Sequence, residues 1–534
     1  MKSSVPIFSF IAVVLTMAGV LCSCSPSLPT TYAEASRQPA VSPDNFGATL
    51  PPNIAPLNFR INEEATDCVT RLHSRKGGEV VVGGTDVCFD EDVWHELLAQ
   101  AKGDTLFCDI YLKTDGNWQH LPTQYFLVAE EPVDPYITYR LIRPSYVTYE
   151  ELTINERCLE NFNERVIYEN MRFEDSDQGQ CINCHLPRNW NQQQQSQFHV
   201  RQAMGGTLFI SGDQVAKVNL KTDSTLSAGV YPAWHPTQNL IAYSVNETGQ
   251  VFHTLDPQKV EVIDYASDLI LYDVEANTVQ HIDRTASEFE SFPTWSPDGR
   301  TLYYISAHYT PRAADIDADL DNNYDKLHYN IYARDFDLQT RRFGPHRLVF
   351  DAEALDKSAS VPRISPDGDY LLFTLADYGQ FHVWHKSADL QILSLVSESG
   401  EQAEATAPLN SPESESYHAW SSNGRWILFS SRRDDGNYTR LYISYFDKDG
   451  RAHKPFRLPQ RSLDSDDLLL RSYNAAEFML QPVRPSQRQL EKAVKANARP
   501  AAYAGSALAQ PEADSTRHRA LQPANERRRE SIAY

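Results

Sequence analysis

Four units of similar sequence recur in the second half of the chain, and an internal repeat restricts the fold more than composition does. Tyr231-Pro232-Ala233-Trp234-His235-Pro236 opens the first unit. The others open with Phe292-Pro293-Thr294-Trp295-Ser296-Pro297-Asp298-Gly299, Val361-Pro362-Arg363-Ile364-Ser365-Pro366-Asp367-Gly368 and Tyr417-His418-Ala419-Trp420-Ser421-Ser422-Asn423-Gly424. Each is followed by an apolar strand, over 240–244, 302–306, 371–374 and 427–430, and later by another, over 268–274, 330–336, 389–395 and 440–446. The large apolar residue suits packing between neighbouring sheets, and Pro-Asp-Gly closes a tight turn in which Gly takes positive φ. A small sheet cannot hide both faces alone, so copies pack radially. Strands over 207–210 and 215–220 read as the outer half of one more blade, with 468–480 as its inner strand, so the ring closes by pairing its two ends. The expected fold is mainly β, with a C-terminal β-propeller over 205–480. It has five blades, or six if the first domain lends strands.

The region before the repeat divides by composition. Residues 57–170 read as a small β-rich, sandwich-like domain with strands over 79–83, 105–112, 125–128 and 136–141. A short helix is expected over 92–101, and a helical pattern over 150–170. Cys68, Cys88, Cys108 and Cys158 either form two disulfides, in one of three pairings, or stay as buried thiols. Residues 24–56 are rich in Pro, Ser, Thr and Ala and read as a disordered tether. Residues 1–23 have a charged start and an apolar core, the pattern of a secretory signal. Its end, Leu21-Cys22-Ser23-Cys24, resembles the lipobox of bacterial lipoproteins, and that resemblance implies lipidation at Cys24. Residues 481–534 carry ten Lys+Arg against five Asp+Glu and read as a disordered basic tail, apart from a helix near 487–497. The whole chain carries Lys+Arg 49 against Asp+Glu 71, net −22, which argues against a nucleic-acid partner.

One short motif carries chemistry. Cys181-Ile182-Asn183-Cys184-His185 reads C-x-x-C-H, the pattern of c-type haem attachment: two thioethers, with His185 as ligand to the iron. One covalent haem c is therefore expected in a connector, 171–204, wedged between two β bodies. The sixth ligand is expected to be His199 or, alternatively, Met204, and Arg201 matches a propionate. An acidic insertion, Asp315, Asp317, Asp319 and Asp321, has the alternation of a calcium loop. Leu320 stands where that loop needs Gly and Lys326 where it needs Glu, so a solvated acidic loop is the better reading.

The Trp-Ser-Pro-Asp-Gly units, and Phe429-Ser430-Ser431-Arg432-Arg433-Asp434-Asp435-Gly436, resemble the propeller repeats of the TolB family. Roughly residues 50–480 are similar to TolB-like Gram-negative envelope lipoproteins that join a C-x-x-C-H segment to such a propeller. Ala266-Ser267-Asp268-Leu269-Ile270-Leu271-Tyr272-Asp273-Val274 and Ser416-Tyr417-His418-Ala419-Trp420-Ser421-Ser422-Asn423-Gly424 carry the likeness. It implies a lipid-anchored protein of the outer membrane, facing the periplasm, whose propeller docks envelope proteins. Similar repeats accompany prolyl oligopeptidases, but no G-x-S-x-G occurs in this chain, so a hydrolase is not expected, and a redox activity is left open. Two functions follow: electron transfer or redox sensing through the haem with a redox partner, or a haem-free scaffold or binding protein of an envelope complex. His235, His253, His382 and His418 sit near blade starts or loops, where they either line a channel mouth or, the better reading, are structural or surface residues, with His418, in the slot that Pro holds in the other units, as the one to examine first.

Overall fold

The repeat becomes geometry at its turn. Ser296 Oγ donates to Asp298 Oδ1 at 2.6 Å and accepts from the Thr301 amide at 2.9 Å. The Gly299 amide donates to the Ser296 carbonyl at 2.9 Å, with Gly299 at φ +70°. Ser421, Asn423 and Gly424 repeat the arrangement. In the first unit His235 replaces Ser, and its Nδ1 accepts the Gln238 amide at 3.0 Å. The aromatic wedge behaves as the repeat predicts: Trp295 Nε1 donates to the Ala233 carbonyl of the preceding unit at 3.1 Å, and Trp420 to that of Arg363 at 3.2 Å.

The computed structural model describes residues 26–143, 151–170, 181–253, 255, 258–285, 287–396 and 404–509. Among them, six sheets surround one axis. Blade 1 runs outward from Ser472–Met479 through Tyr136–Ile142 and Thr153–Cys158 to Glu164–Glu169, and blade 2 from Cys181–Pro187 through Gln195–Arg201 and Gly206–Ser211 to Gln214–Asn219. Blades 3 to 6 begin with Val230–Trp234, Glu288–Trp295, Ser358–Ile364 and Glu415–Trp420. Blade 3 contains an overlong hairpin, Leu240–Phe252 and Val260–Asp273.

The sixth blade is the one that the first domain lends, and five gives way to six. The late strand is an inner strand as expected, but it pairs with Tyr136–Ile142, Asn474 facing Arg140. Strands Gly206–Ser211 and Gln214–Asn219 did not need it, because Cys181–Pro187 and Gln195–Arg201 complete their sheet. The segment read as a connector thus joins the two parts of the chain as strands. The helical pattern over 150–170 resolves into two strands, since β-branched and aromatic residues such as Ile154, Val166 and Tyr168 favour the pleated surface.

The remaining N-terminal strands form a seven-stranded and a three-stranded sheet around the helix Glu91–Ala101, capped by Asp90. Their core continues into blade 6 through Trp426, Ile443 and Phe456. Two segments expected to be disordered are ordered where described. Ala33–Glu34 and Thr49–Leu50 pair in parallel with that domain's sheet, and Phe46, Leu50 and Ile54 are buried. After the helix Gln487–Lys495, Arg499–Pro500 and Ala502–Ser506 add in parallel to the outer edges of blades 2 and 3. Sheet edges offer unpaired amides and carbonyls, so these segments order by adding strands to them as well as by burying Leu50, Ile54, Leu490 and Val494. Cys68, Cys88, Cys108 and Cys158 are free thiols, Cys88 exposed and the others buried. Cys24 and the segment 1–23 that reads as a secretory signal lie outside the described residues.

Candidate functional site

Every inner strand breaks its pairing at the same place. In blade 3, Val230 faces Ser244 and Ala233 faces Ala242, so Tyr231 and Pro232 together oppose one residue, Tyr243. The same two-residue bulge is Phe292-Pro293, Val361-Pro362, Tyr417-His418, Ala475-Ala476 and, in blade 2, Asn183-Cys184. Tyr231, Phe292, Val361, Tyr417 and Ala475 adopt φ between +44° and +50°. That region is costly for side chains of this bulk, on the order of 1–3 kcal/mol each, and such strain gathers at functional sites. A bulge re-aims the side chains that follow it.

Two layers of side chains result. The first holds Pro232, Pro293, Pro362, His418, Ala476 and Cys184; the second holds Ala233, Thr294, Arg363, Ala419, Glu477 and His185. Cys-His in the C-x-x-C-H motif is therefore this blade's version of the bulge, Cys184 taking the slot of Pro. In the second layer Arg363 reaches Glu477 at 2.6 Å and forms a waist across the axis. Above the waist lies a chamber of about 110 Å³ lined by Arg140, Cys184, His185, Tyr231, Phe292 and Tyr417, among others. Below it a wider chamber of about 520 Å³ is walled by Trp234, Trp295, Ile364 and Trp420.

The overlong hairpin of blade 3 roofs the upper chamber. Thr248, Gln250 and Val262 face into it. A bulge between Glu247 and Thr248 bends the hairpin. Its far end docks beside blade 5: Glu261 lies 3.3 Å from His385 Nε2, and Gln258 donates to the Tyr378 hydroxyl at 2.8 Å.

Burial sets the charges here. It pushes the Glu477 carboxyl up against the pull of Arg363. His418 is held down to about 3, mainly by burial, and its Nε2 donates to the Val361 carbonyl at 2.7 Å. His235 is held down to about 4 and His382 to about 3, again by burial. All three are neutral and hydrogen-bonded, and His418 also lines the upper chamber.

Of the residues proposed for haem, Cys184 and His185 stand together, and His199 and Met204 do not join them. Cys184 and His185 face the upper chamber. The side chain of Cys181 lies outside the described residues. His199 sits opposite the bulge of its blade, the slot that Tyr139, Tyr243, Tyr304, Phe373 and Phe429 fill in the others. His185 faces Phe198 across the pair, so His199, one residue on, points to the other side of the sheet. Its Nδ1 meets Thr207 Oγ1 at 3.2 Å, and burial holds it down to about 3. Met204 packs beside the cluster containing Ile182 and Phe198. Neither His199 nor Met204 lines the channel. Arg201 is buried and acts electrostatically on Tyr231. Among the described residues the walls leave no room for a porphyrin on Cys184 and His185: the chamber these two line is smaller than the ~150 Å³ cavity that accommodates benzene, and the wider one is lined by neither residue.

The calcium residues also diverge. Asp315 caps the helix Ile316–Asn323, Asp319 accepts from the Tyr309 hydroxyl at 2.6 Å, and Asp321 accepts from Tyr265 on another strand. A helix turns alternate residues to different sides, which removes the common centre. Arg140, Arg363 and Glu477 were missed as site residues. For Arg363 a signal existed: a charge between Pro362 and Ile364, where the other units have Ala or Thr.

No family model matches the chain, and no curated protein matches it. Solved structures similar to it include TolB from Acinetobacter baumannii, 13% identical over 73% of this chain and 85% of that one, TM-score 0.39. Oligogalacturonate lyase from Vibrio parahaemolyticus is 13% identical over 78% of this chain and 100% of that one, TM-score 0.32. The β-propeller domain of the Trilobed protease from Pyrococcus furiosus is 10% identical over 68% and 96%, TM-score 0.26. The assignment of a propeller rests on the six sheets themselves.

Proposed function

We propose that this chain is a haem-free propeller binding protein of the cell envelope, with the axial channel as its ligand site. One observation carries the reading: all six inner strands bulge toward one axis, five of them at a cost in backbone strain, and set charged and aromatic side chains around a roofed chamber. Export and a lipid anchor at Cys24 belong to the same proposal and rest on the leader sequence. The faces of the ring are the surfaces on which an envelope protein docks.

A covalent haem is the competing reading. What favours it is that Cys184 and His185 stand together in the channel wall. The test is to produce the full chain, with its own leader, in a Gram-negative host carrying haem-attachment machinery. Colourless protein with the mass of the bare lipidated chain supports the binding protein. A Soret band that survives denaturation and acid-acetone extraction overturns it and restores a redox role.

A further inference from the structure

We propose that the edge of the N-terminal sheet formed by Glu79–Gly83 rests on a lipid bilayer, held there by a two-residue leash between the lipid on Cys24 and a strap folded across that sheet. The inference rests on the lipid anchor of the proposed function and adds the surface that meets the membrane.

The strap is set by the sheet beneath it. Gly83 faces Val69, Val69 faces Tyr111 and Tyr111 faces His120, so one row of residues crosses four neighbouring strands. Residues in such a row share a face of the sheet. It is the face away from the core, which the alternate residues Cys68, Leu72, Cys108 and Leu112 enter. Val69 and Tyr111 are buried all the same. The chain from Pro26 to Glu34 runs along this row. Pro26 sits over Gly83, where an added Cβ would come within 3.2 Å of the proline's own Cβ. The Tyr32 ring meets Tyr111 edge-on at 5.1 Å and His120 at 5.5 Å. Ala33–Glu34 then pairs in parallel with Asn117–His120. Three strand spacings are ~14 Å, and the stretch from Pro26 to Tyr32 reaches at most ~20 Å, so the strap crosses with little slack.

The strap takes up the length that a tether would need. A flexible tether over 24–56 would hold the body ~30 Å from its anchor. With the chain fixed from Pro26 onward, Cys24 lies within ~7 Å of it. The polar layer of one leaflet is ~5–8 Å deep, so Gly83 is delivered to the headgroups. The edge itself suits that place. Among the described residues Glu79–Gly83 pairs on one side only, with Asp67–Ser74, and its Val80, Val81 and Val82 are all partly exposed. An apolar edge of this kind invites pairing with another chain unless something covers it. A headgroup layer is wet enough to serve the free amides, and the acyl boundary beneath it takes the valines. The leash brings this edge to lipid in every copy, whereas a second copy must reach it by collision.

The test uses the full chain, produced with its own leader in a Gram-negative host, with a photoactivatable benzophenone residue in place of Val81 or, as control, of Leu348. Leu348 is exposed on blade 4, across the ring from blade 1. The mature proteins are placed in phosphatidylcholine vesicles and irradiated, and adducts are identified by peptide mass; the same spectra show whether Cys24 carries lipid. Phospholipid adducts are expected at 81 and not at 348. A flexible insert of about twenty Gly and Ser residues between Ser25 and Pro26 lengthens the leash by ~25 Å and should abolish them. If the residue at 81 prevents folding, Asp67 takes its place, being exposed beside Cys68, whose carbonyl accepts the Gly84 amide. A lipidated chain without adducts at 81, or with equal adducts at 348 or after the insertion, overturns the proposal. Adducts from 81 to a second copy assign the edge to pairing between copies and overturn it too. A mature chain with no lipid on Cys24 overturns the anchor reading and this proposal together.

Discussion

Blades 3 to 6 and blades 1 and 2 occupy equivalent places in one ring but are encoded differently. Blades 4 and 6 close their turns with the same Ser, Asp or Asn, and Gly bonds, and blade 3 does so with His235 in place of Ser. Blade 1 has no such turn between its two inner strands, which come from opposite ends of the chain. Blade 2 carries Cys-His where blades 3 to 5 carry Pro and a small or charged residue. All six share the bulge. The turn is a local convenience for folding a hairpin, whereas the bulge is what every blade must have to present side chains to the axis.

The largest expected effect comes from breaking the seam. Ending the chain at residue 471 removes the inner strand of blade 1, exposes the edge of Tyr136–Ile142 and opens the ring. Cooperative thermal unfolding should be lost, which calorimetry checks against the full chain.

Next come the wedges. Trp295→Ala removes a buried ring and its bond to the preceding blade, at a cost of about 3–5 kcal/mol. Phe478 takes the corresponding slot in blade 1, so Phe478→Ala should fall in the same range of about 3–5 kcal/mol if the two kinds of blade are equivalent. Denaturant titration of both variants measures this, and a much smaller loss for Phe478 breaks the equivalence.

His199 sharpens the comparison through pH. Burial lowers its folded pKa to about 3, below the ordinary histidine value of 6.5. Between these values the unfolded chain binds the extra proton, so its contribution to stability is full above about pH 6.5 and is lost as pH falls toward 3. His199→Phe supplies the ring that the repeated blades use and should recover about 3 kcal/mol at pH 4 with little change at pH 8. Melts of both proteins across pH 4–8 test it. A haem ligand would behave otherwise, its loss changing an absorption spectrum.

The smallest effect is at the bulge itself. Ala475→Gly relieves a left-handed backbone at φ +47° with almost no loss of buried surface. Part of the gain is offset by the greater freedom of Gly in the unfolded chain, leaving a stabilisation of about 0.5 kcal/mol. A shift in the chemical denaturation midpoint shows it.

Much of the fold was legible because its signals are short-range. Trp295, Ser296, Asp298 and Gly299 announce a turn within a few residues, and the large apolar slot announces sheet packing. The histidines at 235 and 382 are legible as structural or surface residues from their placement, whereas His418 also lines the upper chamber. The site was less legible. Cys181 to His185 has the spacing of a haem motif and, in this chain, also the register of a blade's inner strand; nothing within five residues separates the two. Arg140 lies in a strand assigned to another domain, and Glu477 in an inner strand assigned to another blade, so neither could be placed beside Arg363.

The amino-acid sequence by itself determined that this chain builds sheets around a ring, because turn chemistry and side-chain alternation act between near neighbours. Only the tertiary structure decided that the ring has six blades among the described residues, and that the suspected haem segment is one of its inner strands. It also decided that Arg140, Arg363 and Glu477 share one chamber. Those facts depend on which strand edge is left open for a partner arriving from the far end of the chain. Local spacing does not carry that information.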